Sequence, residues 1–90
     1  MNHINKLQQL MCITMEECGE LTQRCSKIIR KYEKINQIKE EQRIKLLEEL
    51  GDVQCMIELM IKNKVVTWDE VQARVKDKKE KLKKWSDLIE

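Results

Sequence analysis

Glu16-Glu17-Cys18-Gly19-Glu20-Leu21 returns 32 positions later (48 − 16 = 32) as Glu48-Glu49-Leu50-Gly51-Asp52-Val53. Each copy sets two adjacent glutamates, an apolar residue, a glycine, a third carboxylate and a second apolar residue in one order. On a helix, positions 17 and 20 lie one turn apart and about 60° around the axis, as do 49 and 52. Two such turns facing each other would gather Glu17, Glu20, Glu49 and Asp52. Carboxylates ~5 Å apart repel by roughly 3 kcal/mol at an effective dielectric of about 20, so a gathering of four needs a cation. An oxygen-only shell suits a hard divalent ion, Mg²⁺ or Mn²⁺. Glu16 and Glu48 lie further round, placed to support the ligands or to serve as a base. These glutamates also fit an ordinary solvated helix face. What favours a site is the duplication in one register with a glycine inside each copy. A mid-helix glycine costs about 1 kcal/mol relative to alanine, and two of them imply that a helix or ligand comes close there.

The elements that must position these residues are legible as stripes. Ile4, Leu7, Met11, Thr14, Cys18, Leu21, Cys25, Ile28, Tyr32 and Ile35 recur at steps of three and four, which predicts a helix over about residues 3–34. Thr14-x-x-Glu17 has the form of a capping box, yet the stripe keeps its phase across Thr14, so the helix is read as unbroken. A polar stretch follows, with Asn36-Gln37 as the turn. Leu46, Leu50, Val53, Ile57 and Met60 predict a second helix over about residues 39–62, ended by Asn63-Lys64. Thr67-x-x-Glu70 opens a third helix, whose stripe runs Trp68, Val71, Val75, Lys78, Leu82, Trp85 and Ile89. The expectation is an all-α bundle with the first two helices antiparallel. In this phase Cys18 and Leu50 are core positions, and the four carboxylates flank the seam.

Ninety residues make one small domain, 1–90, which buries only about 60–65% of its unfolded surface. Association with further copies is therefore expected. The chain has no proline, no phenylalanine and two glycines, and its net charge of +2 excludes polyanion binding by bulk charge. A polar N-terminus and the lack of any apolar run near ~20 residues predict a cytoplasmic protein without a membrane span. Cys12, Cys18, Cys25 and Cys55 form no CxxC pair and His3 stands alone, so reduced, buried thiols are expected rather than zinc ligands or disulfides. No nucleophile–base set and no GxxxxGK[ST] loop is present, which leaves direct hydrolysis by a metal-activated water as the economical chemistry.

Seven basic residues against two acidic ones lie between Arg74 and Lys84. Most are expected to form a solvated face. Lys78 differs because it holds an apolar-stripe position, where it is either a snorkelling lysine or a cation for substrate phosphate; Lys81 is the second candidate. The segment matches no base-reading motif, so nucleic acid is not an expected partner. Trp68, Trp85 and Tyr32 are expected in the core or at a subunit interface rather than stacked on a base.

Glu16-Glu17-x-x-Glu20, then 28 residues, then Glu49-x-x-Asp52 resembles the EExxE…ExxD signature of the MazG-like all-α nucleoside triphosphate pyrophosphohydrolases. The resemblance covers most of the chain, including the basic third helix. It implies a four-helix-bundle-like fold completed by homodimerisation, or a homotetramer. It further implies Mg²⁺-dependent cleavage of NTP or dNTP between the α- and β-phosphates, giving the monophosphate and pyrophosphate. By the same resemblance Glu17, Glu20, Glu49 and Asp52 are the metal ligands, and Glu16 is a water-orienting carboxylate beside Glu17 and Glu49 in the catalytic set. Lys78 and Lys81 correspond to the substrate-binding cations. The competing expectation is a non-catalytic bundle or coiled-coil interaction protein with no affinity for Mg²⁺.

Overall fold

The computed structural model describes residues 3–90 and is all-α: α1 (Lys6–Lys31), a 3₁₀ turn at Ile35–Gln37, α2 (Glu40–Lys62) and α3 (Trp68–Trp85). There is no strand among the described residues. The chain forms two compact units that divide within α2, one ending at Leu59 and the other running Met60–Glu90.

In the first unit, α1 starts at Lys6 rather than near residue 3 because a capping box fixes it there. The Gln8 amide donates to Asn5 Oδ1 (2.8 Å) while the Asn5 amide donates to Gln8 Oε1 (3.0 Å), satisfying two otherwise unpaired donors. Thr14 does not interrupt the helix. Its hydroxyl donates back to the Leu10 carbonyl at 2.7 Å, the usual outlet for a mid-helix threonine. The helix stops at Lys31 rather than near residue 34, since Tyr32 turns extended. The Gln37 side-chain oxygen then accepts the amides of both Glu33 and Lys34, at 3.1 and 3.0 Å. Those donors are thereby taken from any further helical turn.

The face that α1 turns toward α2 keeps only part of the expected stripe. Leu10, Thr14, Glu17, Leu21, Arg24 and Ile28 are the covered or half-covered series, matched on α2 by Gln42, Leu46, Glu49, Val53 and Met56. Cys18, Cys25 and Leu50 are exposed. Thr14, Leu21 and Ile28 of the expected stripe are in the covered series, whereas its Leu7, Cys18 and Cys25 are exposed. Glu17 and Glu49 consequently sit in the seam itself and not beside it. Among the described residues only Leu10 (7% exposed) and Met56 (5%) are buried apolar groups, while Leu7, Met15 and Ile29 stand largely uncovered. All four thiols are free, and only Cys12 is even half-covered, which corrects the expectation of buried cysteines.

In the second unit, α2 ends where Asn63-Lys64 predicts. Lys64 takes the left-handed conformation (φ 63°), its amide donates to the Ile61 carbonyl (3.0 Å), and the Val65 amide donates to the Met60 carbonyl (2.9 Å). This is the Schellman termination, with lysine in the position glycine usually takes. The predicted Thr67–Glu70 box is present, with amides donating to Thr67 Oγ1 (3.1 Å) and Glu70 Oε1 (2.9 Å). The third helix ends at Trp85, short of Ile89, because Ser86 turns extended and its hydroxyl accepts the Leu88 amide at 3.2 Å. Trp85 (84% exposed) and Trp68 are not core residues of the single chain.

The left-handed lysine yields a stability prediction. Lys64→Gly should raise the unfolding free energy by about 0.5–1 kcal/mol, since an L-residue with a β-carbon is strained there. A urea midpoint unchanged or lowered by the substitution would refute that account.

Candidate metal centre

Three cross-helix relations fix the alignment of α1 and α2. Arg24 meets Gln42, Glu20 meets Glu49, and Glu17 meets Asp52. As the α1 number falls the α2 number rises, so the two helices run antiparallel, as expected. Because Glu17 and Glu20 are one turn apart, and Glu49 and Asp52 likewise, this alignment brings two facing acidic turns to one level. Each of the four residues offers a carboxylate oxygen, and these oxygens lie within 4.8 Å of one another. The side chains of residues 17, 20, 49 and 52 thus converge within a single chain.

Burial is uneven across the group. Glu17 and Glu49 are half-buried while Glu20 and Asp52 are exposed. Glu17 Oε2 and Glu49 Oε2 are shielded from solvent and have no hydrogen-bond partner, an arrangement that is costly for a carboxylate. Both groups respond by holding protons more tightly than a free glutamate. For Glu17 the causes are partial burial first, then the charges of Glu20 and Asp52, the hydrogen bond that the protonated acid makes with Asp52, and the charge of Glu49. For Glu49 they are partial burial, then Glu20 through its charge and through the hydrogen bond made by the protonated acid, then Asp52, with Arg24 opposing.

The donor set fits a hard divalent cation. Oxygens on opposite sides of one ion bound at 2.0–2.6 Å are about 4–5 Å apart, the spread found here. The two orphaned oxygens would gain the partner they lack, and the four negative charges would be offset.

The remaining candidates fall outside this group. Glu16 and Glu48 are exposed on the outer side of their helices. Lys78 and Lys81 belong to α3 in the second unit and are exposed. Lys78 lines a largely apolar groove with Val66, Val71, Arg74 and Val75, so its stem lies along apolar surface. Neither Gly19 nor Gly51 is crowded, because a β-carbon at either would meet nothing within 4 Å. The close approach inferred from the glycines does not occur within one chain.

Reading for apolar stripes misses Arg24. It is half-buried in the α1–α2 seam, donates from Nη1 to Gln42 Oε1 at 3.0 Å, and holds down the proton affinity of Glu49. The available signal is its spacing, seven residues after Glu17 and hence in the same helical phase. The chain matches no family model, no curated protein and no solved structure.

Two predictions follow from the centre's electrostatics and open space. The native state holds protons at Glu17 and Glu49 more tightly than the unfolded chain does. Stability of the metal-free protein should therefore fall as pH rises from the ordinary glutamate range through the raised values. Thermal melts should show that fall, Mg²⁺ should remove it, and Glu49→Gln should flatten it; melts indifferent to pH and metal would refute the account. Gly19→Ala and Gly51→Ala should each stabilise the chain by about 1 kcal/mol, measured by urea unfolding. If either variant gains stability but loses divalent-ion binding, a second molecule must lie against that glycine.

Proposed function

We propose that this chain is a Mg²⁺-dependent nucleoside triphosphate pyrophosphohydrolase. It would convert NTP or dNTP to the monophosphate and pyrophosphate. The observation that carries the reading is the convergence of Glu17, Glu20, Glu49 and Asp52 on one level of the α1–α2 seam, with oxygens within 4.8 Å of each other. A bound divalent ion supplies neutralisation of phosphoryl oxygens and acidification of a coordinated water.

The chain's own residues do the rest. Glu17 and Glu49 are the half-buried pair whose shielded oxygens hold the cation side of the site. Glu20 and Asp52 complete the set from the exposed side, where substrate enters. Water attacks the α-phosphorus, the bond from that phosphorus to the bridging oxygen of the β-phosphate breaks, and the proton leaves to a carboxylate. The resemblance offers Glu16 as the water-orienting carboxylate and proton acceptor, although within one chain it is solvated about 100° around α1 from Glu17. The resemblance offers Lys78 and Lys81, which belong to the second unit, as cations for substrate phosphate.

The protein is proposed to act as a dimer or larger homo-oligomer. Leu7, Met15 and Ile29 lie uncovered on α1, and the single chain buries few apolar groups; a second copy over that face would remove the exposure. The same observation favours the rival reading of a non-catalytic bundle that associates through its apolar faces. The two differ in their response to metal.

Incubating the protein with each common NTP and dNTP plus Mg²⁺ should release pyrophosphate from at least one of them. Glu49→Gln should lower that rate by at least about 100-fold while leaving the oligomer intact by sedimentation. Orthophosphate with NDP as the products would overturn the choice of bond. No hydrolysis, together with no Mg²⁺ binding, would leave the association reading.

A further inference from the structure

The side of α1 that carries Glu17 and Glu20 changes sign one turn further on. Positions 17, 20, 24, 27 and 31 fall within about 80° of one helix face, and they read Glu, Glu, Arg, Lys, Lys. Lys27, Arg30 and Lys31 line a cleft of about 290 Å³ whose opposite wall is Gln42 of α2. Lys31 and Gln42 also border an adjoining cleft with Lys39, Tyr32 and Glu41, where Glu41 is already engaged by Lys45 at 3.4 Å.

Among the described residues, no carboxylate pairs with Lys27, Arg30 or Lys31. Elsewhere Arg43 and Lys83 find glutamates one turn away. Arg30 spends its Nε on the Ser26 carbonyl at 3.2 Å, which holds the side chain along the helix. Gln42 is oriented as well. Arginine can only donate, so the atom that accepts from Arg24 must be the amide oxygen. Its amide nitrogen is left as a donor. Three exposed cations free of carboxylate partners, set with a half-buried, oriented amide around a cleft walled mainly by aliphatic stems, offer a receptor for a compact multivalent oxyanion.

We infer that this cleft binds a pyrophosphate group, the terminal two phosphates of the substrate. This rests on the hydrolase reading for its placement relative to the carboxylates. Seven residues separate Glu20 from Lys27, about 10 Å of helix rise, a span that the lysine arms and a triphosphate chain cover together. A nucleotide whose α-phosphorus lies at the carboxylates would run its β- and γ-phosphates along α1 into the cleft. Bond cleavage then leaves pyrophosphate on its own receptor, so pyrophosphate is a competitive product inhibitor.

Calorimetric titration of the metal-free protein with inorganic pyrophosphate at physiological ionic strength tests the cleft without any turnover. The carboxylates, about 10 Å away, are largely screened under that condition. Wild type should bind. The double variant Lys27→Gln, Lys31→Gln should bind at least about tenfold more weakly, while Lys83→Gln, Lys84→Gln should match wild type. Circular dichroism confirms that the variants remain helical. No binding by wild type, or equal binding by the two double variants, overturns the proposal. The hydrolase reading is judged separately: binding at the cleft with no nucleotide hydrolysis sustains the receptor and ends that reading. Hydrolysis with KM and pyrophosphate inhibition unchanged in the Lys27/Lys31 variant ends the receptor alone.

Discussion

Like charges facing each other across the α1–α2 seam are the constraint around which the first unit is arranged. A helix pair ordinarily puts apolar groups on its contact line. Here Glu17 and Glu49 occupy it, half-covered, each opposed by a carboxylate of the other helix. Partial removal from water strengthens their repulsion, and Arg24 is the cation the seam supplies against it. Helix contact must then be held by the covered groups above and below, Leu10 and Met56 toward one end and Ile28 and Leu46 toward the other. Any cation entering this level is coupled to the packing of the pair, because it replaces a repulsive contact with a bridging one.

The charges along this seam are ordered rather than mixed. Carboxylates occupy two facing turns, Arg24 stands next, and Lys27, Arg30 and Lys31 follow toward the chain reversal. A ligand that carries metal-binding oxygens at one end and surplus negative charge at the other matches that order. A triphosphate ester is such a ligand, and this is why the proposed reaction and the proposed pyrophosphate receptor lie on one track.

Local chemistry was the readable part of the sequence. The Thr67–Glu70 box and the stop at Asn63-Lys64 depend on residues three to five apart, and both lie where the local sequence puts them, the stop with lysine in place of the usual glycine. Asn5-x-x-Gln8 carries the same kind of signal, but the apolar stripe beginning at Ile4 obscured it. The acidic gathering was readable because it is written twice. The phase of the seam was readable only in part, since the stripe joins Thr14, Leu21 and Ile28, which are covered, to Leu7, Cys18 and Cys25, which are not, and hydropathy does not separate them. Counting apolar positions selects Cys18 and Leu50, which are exposed, and passes over Glu17, Arg24 and Glu49, which are not. Arg24 was hidden for the same reason. The early end of α1 depends on the Gln37 side chain reaching back to two amides, an interaction no stripe encodes.

That reach has a consequence well away from the reversal where it occurs. By clasping the amides of Glu33 and Lys34 with a single oxygen, Gln37 sets how far the chain travels before it turns back. It thereby acts as a gauge for which rungs of the two helices stand opposite. The coincidence of Glu17 with Asp52 and of Glu20 with Glu49 needs a reversal of matching length, and an uncharged amide in a bend several turns distant is one of the groups that supply it.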